Sequence, residues 1–507
     1  MTSFISLLLW LYFVLLVCLS VFGLHRCYLV YLYTKHRRSV AGDAGEEVVL
    51  CEKSTRRQKV PFVTVQLPIY NEKYVVDRLV NAVANLNYPR DYFEVQVLDD
   101  STDETQEIAR NAVDRISRRG LDIHYLHRNN REGFKAGALA EGLRKARGEV
   151  IAIFDADFVP PPDFLSRIVV PFRDPKVGMV QGRWGHLNRD YSLLTRVQAM
   201  FLDAHFILEH GARNRAGLFF NFNGTAGAWR REAIDSAGGW EYDTLTEDLD
   251  LSYRAQLAGW RFVFLQDLVA PAEVPVEMTG FKIQQHRWAR GSIQTSFKLL
   301  PKLLRARIPS RVKLEAFFHL TANLNHLLML ILSLVMVPAL VVRNVSAAPS
   351  VLLIDVPIFC AATLSIVNFY AVSQQVVRDD WLAQMRYIPA AMAIGIGLSV
   401  NNTLAVIGAW MGRETPFRRT PKYGVIRQGD EWLTKGYSQV AVAQPIVEVG
   451  LGLYFTAGIV YAVSHGLLMT LPFLVLFQSG FLYTGLKSLL QQVSKRNVSA
   501  RVLIAGE

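Results

Sequence analysis

Long apolar runs at both ends of the chain restrict its architecture more than any other feature. One run extends from Phe4 to about Leu24 and continues patchily to Tyr33; others cover about 314–342, 350–373, 385–411, 440–464 and 466–489. Crossing a bilayer takes roughly 20 apolar residues. Between the flanks, from about Pro61 to Lys302, apolar and polar stretches alternate as in a soluble α/β protein. The expected architecture is a multi-pass membrane protein with an α/β domain inserted between transmembrane helices.

Charge sets the orientation. No basic n-region precedes the first run and no small-residue cleavage site ends it, so it reads as an uncleaved anchor. Its charges lie behind it at Lys35, His36, Arg37 and Arg38, which places the following residues in the cytoplasm. Segment 412–436 carries Arg413, Arg418, Arg419, Lys422, Arg427 and Lys435, and the tail carries Lys487, Lys495, Arg496 and Arg501. Both read as cytoplasmic. That requires the Gly- and Asn-containing run 385–411 to return to its own side as an interfacial or re-entrant helix, leaving five spans. The expected division is an anchor (1–38), a linker (39–60), the α/β domain (61–280) and interfacial amphipathic helices (281–313). Two spans (314–373), an interfacial helix with a basic loop (374–439), two spans (440–489) and a cytoplasmic tail (490–507) follow. Much of the net charge of +11 sits at membrane boundaries, where anionic lipid accounts for it and nucleic acid is not needed. Cys18, Cys27, Cys51 and Cys360 lack metal-ligand spacing and read as reduced.

Within the α/β stretch, strand-like runs end in polar clusters. Phe62–Leu67 ends at Pro68-Ile69-Tyr70-Asn71-Glu72, Glu94–Leu98 at Asp99-Asp100, and Val150–Phe154 at Asp155-Ala156-Asp157. Alternating strands and helices imply a mostly parallel sheet, whose ligands bind beyond the carboxyl ends of its strands. Two carboxylates at i and i+2 can hold a hard divalent cation that grips a diphosphate. Lys135 opens a helix at the same edge, a place suited to phosphate, although a solvated lysine has the same sequence. Phe222-Asn223-Gly224-Thr225-Ala226-Gly227 is a small-residue loop that allows close approach to a ligand. Thr246-Glu247-Asp248 starts a helix, either as cap and dipole partners or facing a cleft. Trp288, beside the membrane, serves as an interfacial anchor or a ligand contact.

Taken together, Asp99-Asp100, Asp155-Ala156-Asp157, Thr246-Glu247-Asp248 and Gln284-x-x-Arg287-Trp288 resemble the D, DxD, TED, QxxRW signature of family 2 glycosyltransferases. The wording is similar to the processive branch, above all the cellulose synthase-like A group of mannan and glucomannan synthases and bacterial relatives. Gln96–Asp103, Phe134–Leu139, Phe222–Gly227 and Gln284–Trp288 carry that likeness, which covers about Val63 to Lys302. Phe417-Arg418-Arg419-Thr420-Pro421-Lys422 resembles the FxVTxK gating loop of cellulose synthase, with Arg419 in place of the Val.

The resemblance implies a GT-A fold and a set of roles. Asp100, with Asp99 beside it, would contact the nucleotide of a sugar donor. Lys135 and Arg287 would reach its diphosphate, as would Thr420 and Lys422. Asp155 would sit on the nucleotide side and, with Asp157, hold Mg²⁺ or Mn²⁺. Asp248, with Glu247 beside it, would be the general base. Phe222, Asn223, Gly224, Gln284 and Trp288 would form the acceptor site. The expected activity is an inverting, processive hexosyltransferase making a β-1,4-type polymer from UDP-glucose or GDP-mannose. The alternative is a single-addition transferase acting on a membrane lipid. Spans around the domain could pass a growing glycan, with a second copy or a partner subunit where five do not suffice. A plasma membrane is expected, with a Golgi membrane as the alternative.

Overall fold

The computed structural model describes residues 2–36, 60–345, 351–412, 418–435 and 443–505. Most of the expected linker, Cys51 and Phe417 therefore lie outside the described residues. The central domain is built on a seven-stranded sheet: β1 (Val63–Ile69), β2 (Phe93–Asp99), β3 (Ile123–His127), β4 (Val150–Ile153), β5 (Val177–His186), β6 (Gly227–Arg230) and β7 (Arg261–Ala272). Their order is β3-β2-β1-β4-β6-β5-β7, and only β6 runs against the others.

Every residue of β1, β2 and β4 is buried. That is how parallel strands covered on both faces should read. Their few polar side chains pair across strands. Thr64 Oγ1 donates to Glu94 Oε1 at 2.7 Å, and Gln66 Nε2 to Gln96 Oε1 at 3.0 Å. Those residues stand opposite one another in the β1/β2 register. A one-residue slip would break both bonds and strand four buried polar groups, so they fix the register as firmly as the apolar residues do. The three C-terminal strands β5 to β7 were not legible as strands in the sequence. β5 and β7 end in mixed, half-buried stretches.

Because β6 is reversed, the loop that enters it lies at the same edge as the carboxyl ends of the other six strands. One edge of the sheet thus gathers Glu72 after β1, Asp100 after β2, Asp155 and Asp157 after β4, Trp184 and His186 at the end of β5, Glu273 after β7, and Asn223-Gly224 before β6.

Six helices among the described residues are long and apolar enough to cross a membrane: Ile5–Lys35, Leu324–Val345, Pro357–Val377, Trp381–Trp410, Ala443–Ser464 and Leu468–Lys495. The fourth differs from the rest. It breaks into Ile388–Gly397 and Ser399–Trp410 and is 72% buried, against 17–33% for the others. Its start and its second half meet the sheet-bearing domain or its extension. Arg196 donates to the Tyr387 hydroxyl at the start. Asn401 Nδ2 donates to Lys282 O at 2.9 Å further on. Beyond it, Arg418–Lys435 lies on the domain, where Gln428 Nε2 donates to Asp190 O at 2.6 Å. The helix Met278–Arg305 joins the domain to the membrane part. Its Lys282 is buried against Glu448 at 2.5 Å and Ser488 at 2.8 Å, which ties it to the last two spans.

Candidate active site

A single cleft at the strand-end edge is lined by Asp100, Lys135, Asp155, Asp157, Asn223, Gly224, Glu247, Asp248, Gln284, Arg287, Trp288, Thr420 and Lys422. These are thirteen of the fifteen residues that the sequence nominated. They come from β2, β4, the β6 loop, three helix starts or faces, and a segment more than 250 residues downstream of Asp157.

Two nominated residues lie elsewhere. Asp99 is fully buried beneath the cleft. Its Oδ1 accepts from Ser101 N at 2.9 Å and its Oδ2 from the Tyr125 hydroxyl at 2.6 Å, so it shapes the turn that presents Asp100. Phe222 is also fully buried, edge-on to Trp229 at 5.7 Å. It anchors the loop whose next residues face the cleft.

Asp100 is gripped by Arg128 through two bonds, at 2.8 and 2.5 Å. Such a forked pair sets the carboxylate plane. Lys135 Nζ lies 2.5 Å from Asp155 Oδ1 and 3.0 Å from Gly224 O. Burial works against its charge, but Asp155, Glu247 and Asp248 outweigh that and raise its pKa. Lys422 Nζ lies 2.5 Å from Asp157 Oδ2 and 3.3 Å from Glu273 O.

Asp248 sits in the first turn of the helix Glu247–Leu257. Its Oδ1 accepts from Leu249 N at 2.8 Å. Burial, and then Glu247 beside it, raise it to about 7, while Lys135 pulls it down. The turn is braced from behind by the helix Met278–Arg305. Gln294 Oε1 accepts from Leu245 N at 3.0 Å, and a Cβ on Gly291 would lie 2.9 Å from Thr246 N. On the other wall, Trp184 and Trp288 stand with ring centroids 6.5 Å apart.

Sequence reasoning did not nominate Glu72, Glu273, Arg131, Arg419, Trp184 or His186, which also line the cleft. Burial raises Glu72 to about 7; Arg419 opposes this, and Asp157 and Asp155 add to it. Glu273 is raised by burial, against the pull of Arg78 at 2.5 Å. It anchors the downstream segment by accepting from Gly424 N at 3.0 Å and Val425 N at 3.3 Å. Glu72 carried much the same signal as Asp100: an acid in the turn that follows a buried strand.

The residues present fit a hard divalent cation. Asp157 is nearly buried and already holds a cationic group, the Lys422 ammonium, on its carboxylate. Asp155 and Asp157 give two carboxylates, so phosphate oxygens and water would have to complete the coordination, as is usual for Mg²⁺. Among the described residues, the acidic clusters that could close on a cation by themselves lie elsewhere, at Glu94, Asp122 and His124 and at Glu241, Asp243 and Asp250. The second of these is occupied by Lys298, 2.5 Å from Glu241 and 2.7 Å from Asp243.

Gly224 allows a direct test of the cleft's geometry. Its φ is +79°, and a Cβ there would lie 2.9 Å from Asp248 Oδ2 and 3.3 Å from Lys135 Nζ. Gly224→Ala should cost about 1–2 kcal/mol of stability from the left-handed backbone. By displacing the Asp248 carboxylate it should also lower turnover about 10²-fold. Thermal melting and turnover measured on one preparation check both. An alanine variant with full turnover would mean that the position of the Asp248 carboxylate does not matter to activity.

Residues 61–291 match the family profile described as "Glycosyltransferase like family 2". The chain is 40% identical over 309 residues to glucomannan 4-beta-mannosyltransferase 7 of Arabidopsis thaliana, which covers 59% of this chain and 55% of that protein. It is 39% identical over 327 residues to glucomannan 4-beta-mannosyltransferase 1 of Cyamopsis tetragonoloba, covering 62% and 61%. The chain thus spans little more than half the length of these relatives. A solved mannosyltransferase from Pyrobaculum calidifontis, in complex with GDP-Man and Mn2+, is similar at 22% identity over 78% of this chain and all of that one, with a TM-score of 0.46. Residues 61–291, which match the family 2-like glycosyltransferase profile, supply all of the cleft except its downstream segment, in a chain with six helices among the described residues long and apolar enough to cross a membrane.

Proposed function

We propose that this protein is an inverting β-mannosyltransferase that extends a β-1,4-linked glycan from GDP-mannose at the cytoplasmic face of the plasma membrane. The observation that carries the reading is the meeting of Asp155, Asp157, Lys135 and Asp248 in one cleft whose far wall holds Trp184 and Trp288. The names of the relatives support mannose over glucose as the transferred sugar.

In this reading Asp100 and the Arg131–Tyr70 stack, 3.3 Å from guanidinium to ring centroid, border the nucleoside end. Lys135, Arg287, Thr420 and Lys422 surround the diphosphate. Asp155 and Asp157 would hold the divalent cation, which as a Lewis acid stabilises charge on the departing nucleoside diphosphate. The acceptor sugar lies against the aromatic wall, its apolar C–H face on Trp288. Asp248 takes the proton of the attacking hydroxyl. The new bond forms at the anomeric carbon as the bond to phosphate breaks on the opposite face. A single displacement inverts the configuration, so an α-linked donor gives a β-linkage.

A second tie supports the cytoplasmic, five-span topology. The downstream segment Arg418–Lys435 lies on the catalytic domain, as does the start of the broken helix pair, while its second half packs on the helix Met278–Arg305. A helix pair packed along the domain and its joining helix need not cross, which suits the interfacial or re-entrant reading of 385–411.

The deciding experiment incubates the purified full chain with a panel of nucleotide sugars, Mg²⁺ or Mn²⁺, and β-1,4-mannotetraose. Release of GDP with lengthening of the tetraose is expected. Release of UDP from UDP-glucose alone would overturn the donor, and transfer to lipid without any lengthening would overturn the acceptor.

A further inference from the structure

Asn223 lines the cleft, yet its side chain is held from behind by a residue outside the active-site signature. Its Nδ2 donates to His205 Nε2 at 2.9 Å, and its backbone N–H donates to Gln181 Oε1 at 3.0 Å. His205 Nδ1 lies 2.7 Å from Glu209 Oε2, to which it donates. These two residues belong to a π-helical turn, His205–His210, at the end of the helix Leu193–Ala204. The extra residue of a π-turn rotates side chains out of the helical register, and such turns recur at functional sites. Here it aims His205 at the loop before β6.

The remaining atom of that amide, Asn223 Oδ1, is buried and makes no hydrogen bond within the protein. A buried carbonyl oxygen left without a donor is costly unless something supplies one. Sugar hydroxyls are donors of that kind, and the cleft wall beside Asn223 is where the acceptor sugar lies in the proposed function.

The arrangement is fixed over a long distance. Glu209 is tied in turn to Arg213, whose Nη1 lies 3.7 Å from Glu209 Oε2. Arg213 Nε donates to Glu315 Oε1 at 2.8 Å, and Glu315 Oε2 lies 2.7 Å from His25 Nε2 on the N-terminal span. His25 stacks on Phe318 at 4.3 Å between ring centroids. With its Nδ1 donating to Glu209, His205 faces the amide with Nε2, which accepts from Asn223 Nδ2 at 2.9 Å. The oxygen is thereby turned the other way.

The geometry points to His205 and Glu209 as positioning residues that orient the Asn223 amide so that its carbonyl oxygen receives a hydroxyl of the acceptor sugar. The inference rests on the acceptor being a glycan, as proposed above.

A double-mutant cycle tests it in the full-length protein, with β-1,4-mannotetraose as acceptor. The variants are His205→Phe, Asn223→Ala and the pair together. Phenylalanine keeps the ring contacts with Phe206 and His210, at 5.2 and 4.5 Å, and removes the acceptor nitrogen. His205→Leu replaces it if the phenylalanine variant does not fold. Each single variant should raise the acceptor KM about tenfold, the worth of one lost hydrogen bond. The double variant should also show about tenfold and not a hundredfold, because His205 acts only through Asn223. The Kd for GDP should stay within about twofold in all three. His205→Gln, whose Oε1 can accept from Asn223 in place of Nε2, should restore most of the acceptor affinity.

Additive effects, or GDP affinity falling in parallel with acceptor affinity, would reduce His205 to a packing residue and overturn the inference alone. A wild-type protein that neither binds nor extends mannotetraose would overturn the mannan reading and this inference together.

Discussion

Replacing Asp248 by asparagine is expected to abolish sugar transfer, by at least about 10²-fold, while GDP binding stays within a few fold. The amide keeps the shape and the bond from Leu249 N but cannot take a proton. A less obvious consequence concerns stability. Burial, reinforced by Glu247, raises Asp248 from an ordinary 3.8 to about 7. A carboxyl raised on folding binds its proton more tightly in the folded than in the unfolded chain. Its contribution to stability is complete below about pH 3.8 and is lost as pH rises through about 7. Near pH 8 the wild-type protein therefore carries a buried, repelled carboxylate that the asparagine variant lacks. Asp248→Asn should melt at a higher temperature than wild type near pH 8, and the difference should vanish near pH 4. Turnover of the wild type should run the other way, rising with pH to a plateau above about 7 as the base loses its proton. A dead variant with no stability gain at high pH would mean that Asp248 is solvated and ordinary. A live variant would make it a helix-start residue only.

The order of strands, helices and acids up to Asp157 was legible because each strand is a short apolar run ending in a turn signal. Buried parallel strands leave that trace whatever their tertiary partners. Boundaries differed by a residue or so: the strand read at Glu94–Leu98 is Phe93–Asp99, and the one read at Val150–Phe154 is Val150–Ile153. Beyond Asp157 the trace fades. β5 carries Arg183, Trp184 and His186 because its end forms a cleft wall, and β6 is only four residues long. Such strands are defined by what they pair with and not by their own periodicity.

The site was legible where an acid stands at a strand end, as at Asp100 and Asp157, or in a helix's first turn, as at Asp248. It was misjudged where identity and burial diverge. Asp99 is as acidic as Asp100, but neighbours on a strand face opposite ways, and only one of them can reach the cleft. Glu273 and His205 left no local mark, since both act through segments far away in the chain. The membrane part shows the same limit. Composition finds six apolar helices, and the Gly and Asn content of 385–411 with the basic residues behind it already sets that run apart; only packing shows its break and its burial.

The second large effect is expected at Asp157. Asp157→Ala should remove the metal dependence of nucleotide binding along with activity, because Asp155 alone cannot fix the ion. The contact of Asp157 with Lys422 makes a sharper test available. An ammonium 2.5 Å from a nearly buried carboxylate occupies the place that a divalent cation would take. Cation and lysine therefore compete for Asp157 until a diphosphate arrives to share both. Lys422→Ala should strengthen binding of Mn²⁺ alone, since the competitor is gone, and weaken binding of GDP in the presence of Mn²⁺, since a phosphate partner is lost. A charge-assisted contact of this kind is worth roughly 1.5–3 kcal/mol, so each shift should be about tenfold or more. In Asp157→Ala the Lys422 charge loses its partner, and amide exchange across 418–423 should quicken. Gly424 and Val425 should stay protected, because their anchor is Glu273 and not Asp157. Titrations of Mn²⁺ and GDP against the two variants, with exchange measured over this segment, separate these effects. If Lys422→Ala weakened Mn²⁺ and GDP binding alike, the lysine would be supporting the fold of the site and not competing for the metal carboxylate. If exchange in Asp157→Ala rose equally at Gly424 and Val425, the segment would be held by Asp157 as a whole, and Glu273 would not be its anchor.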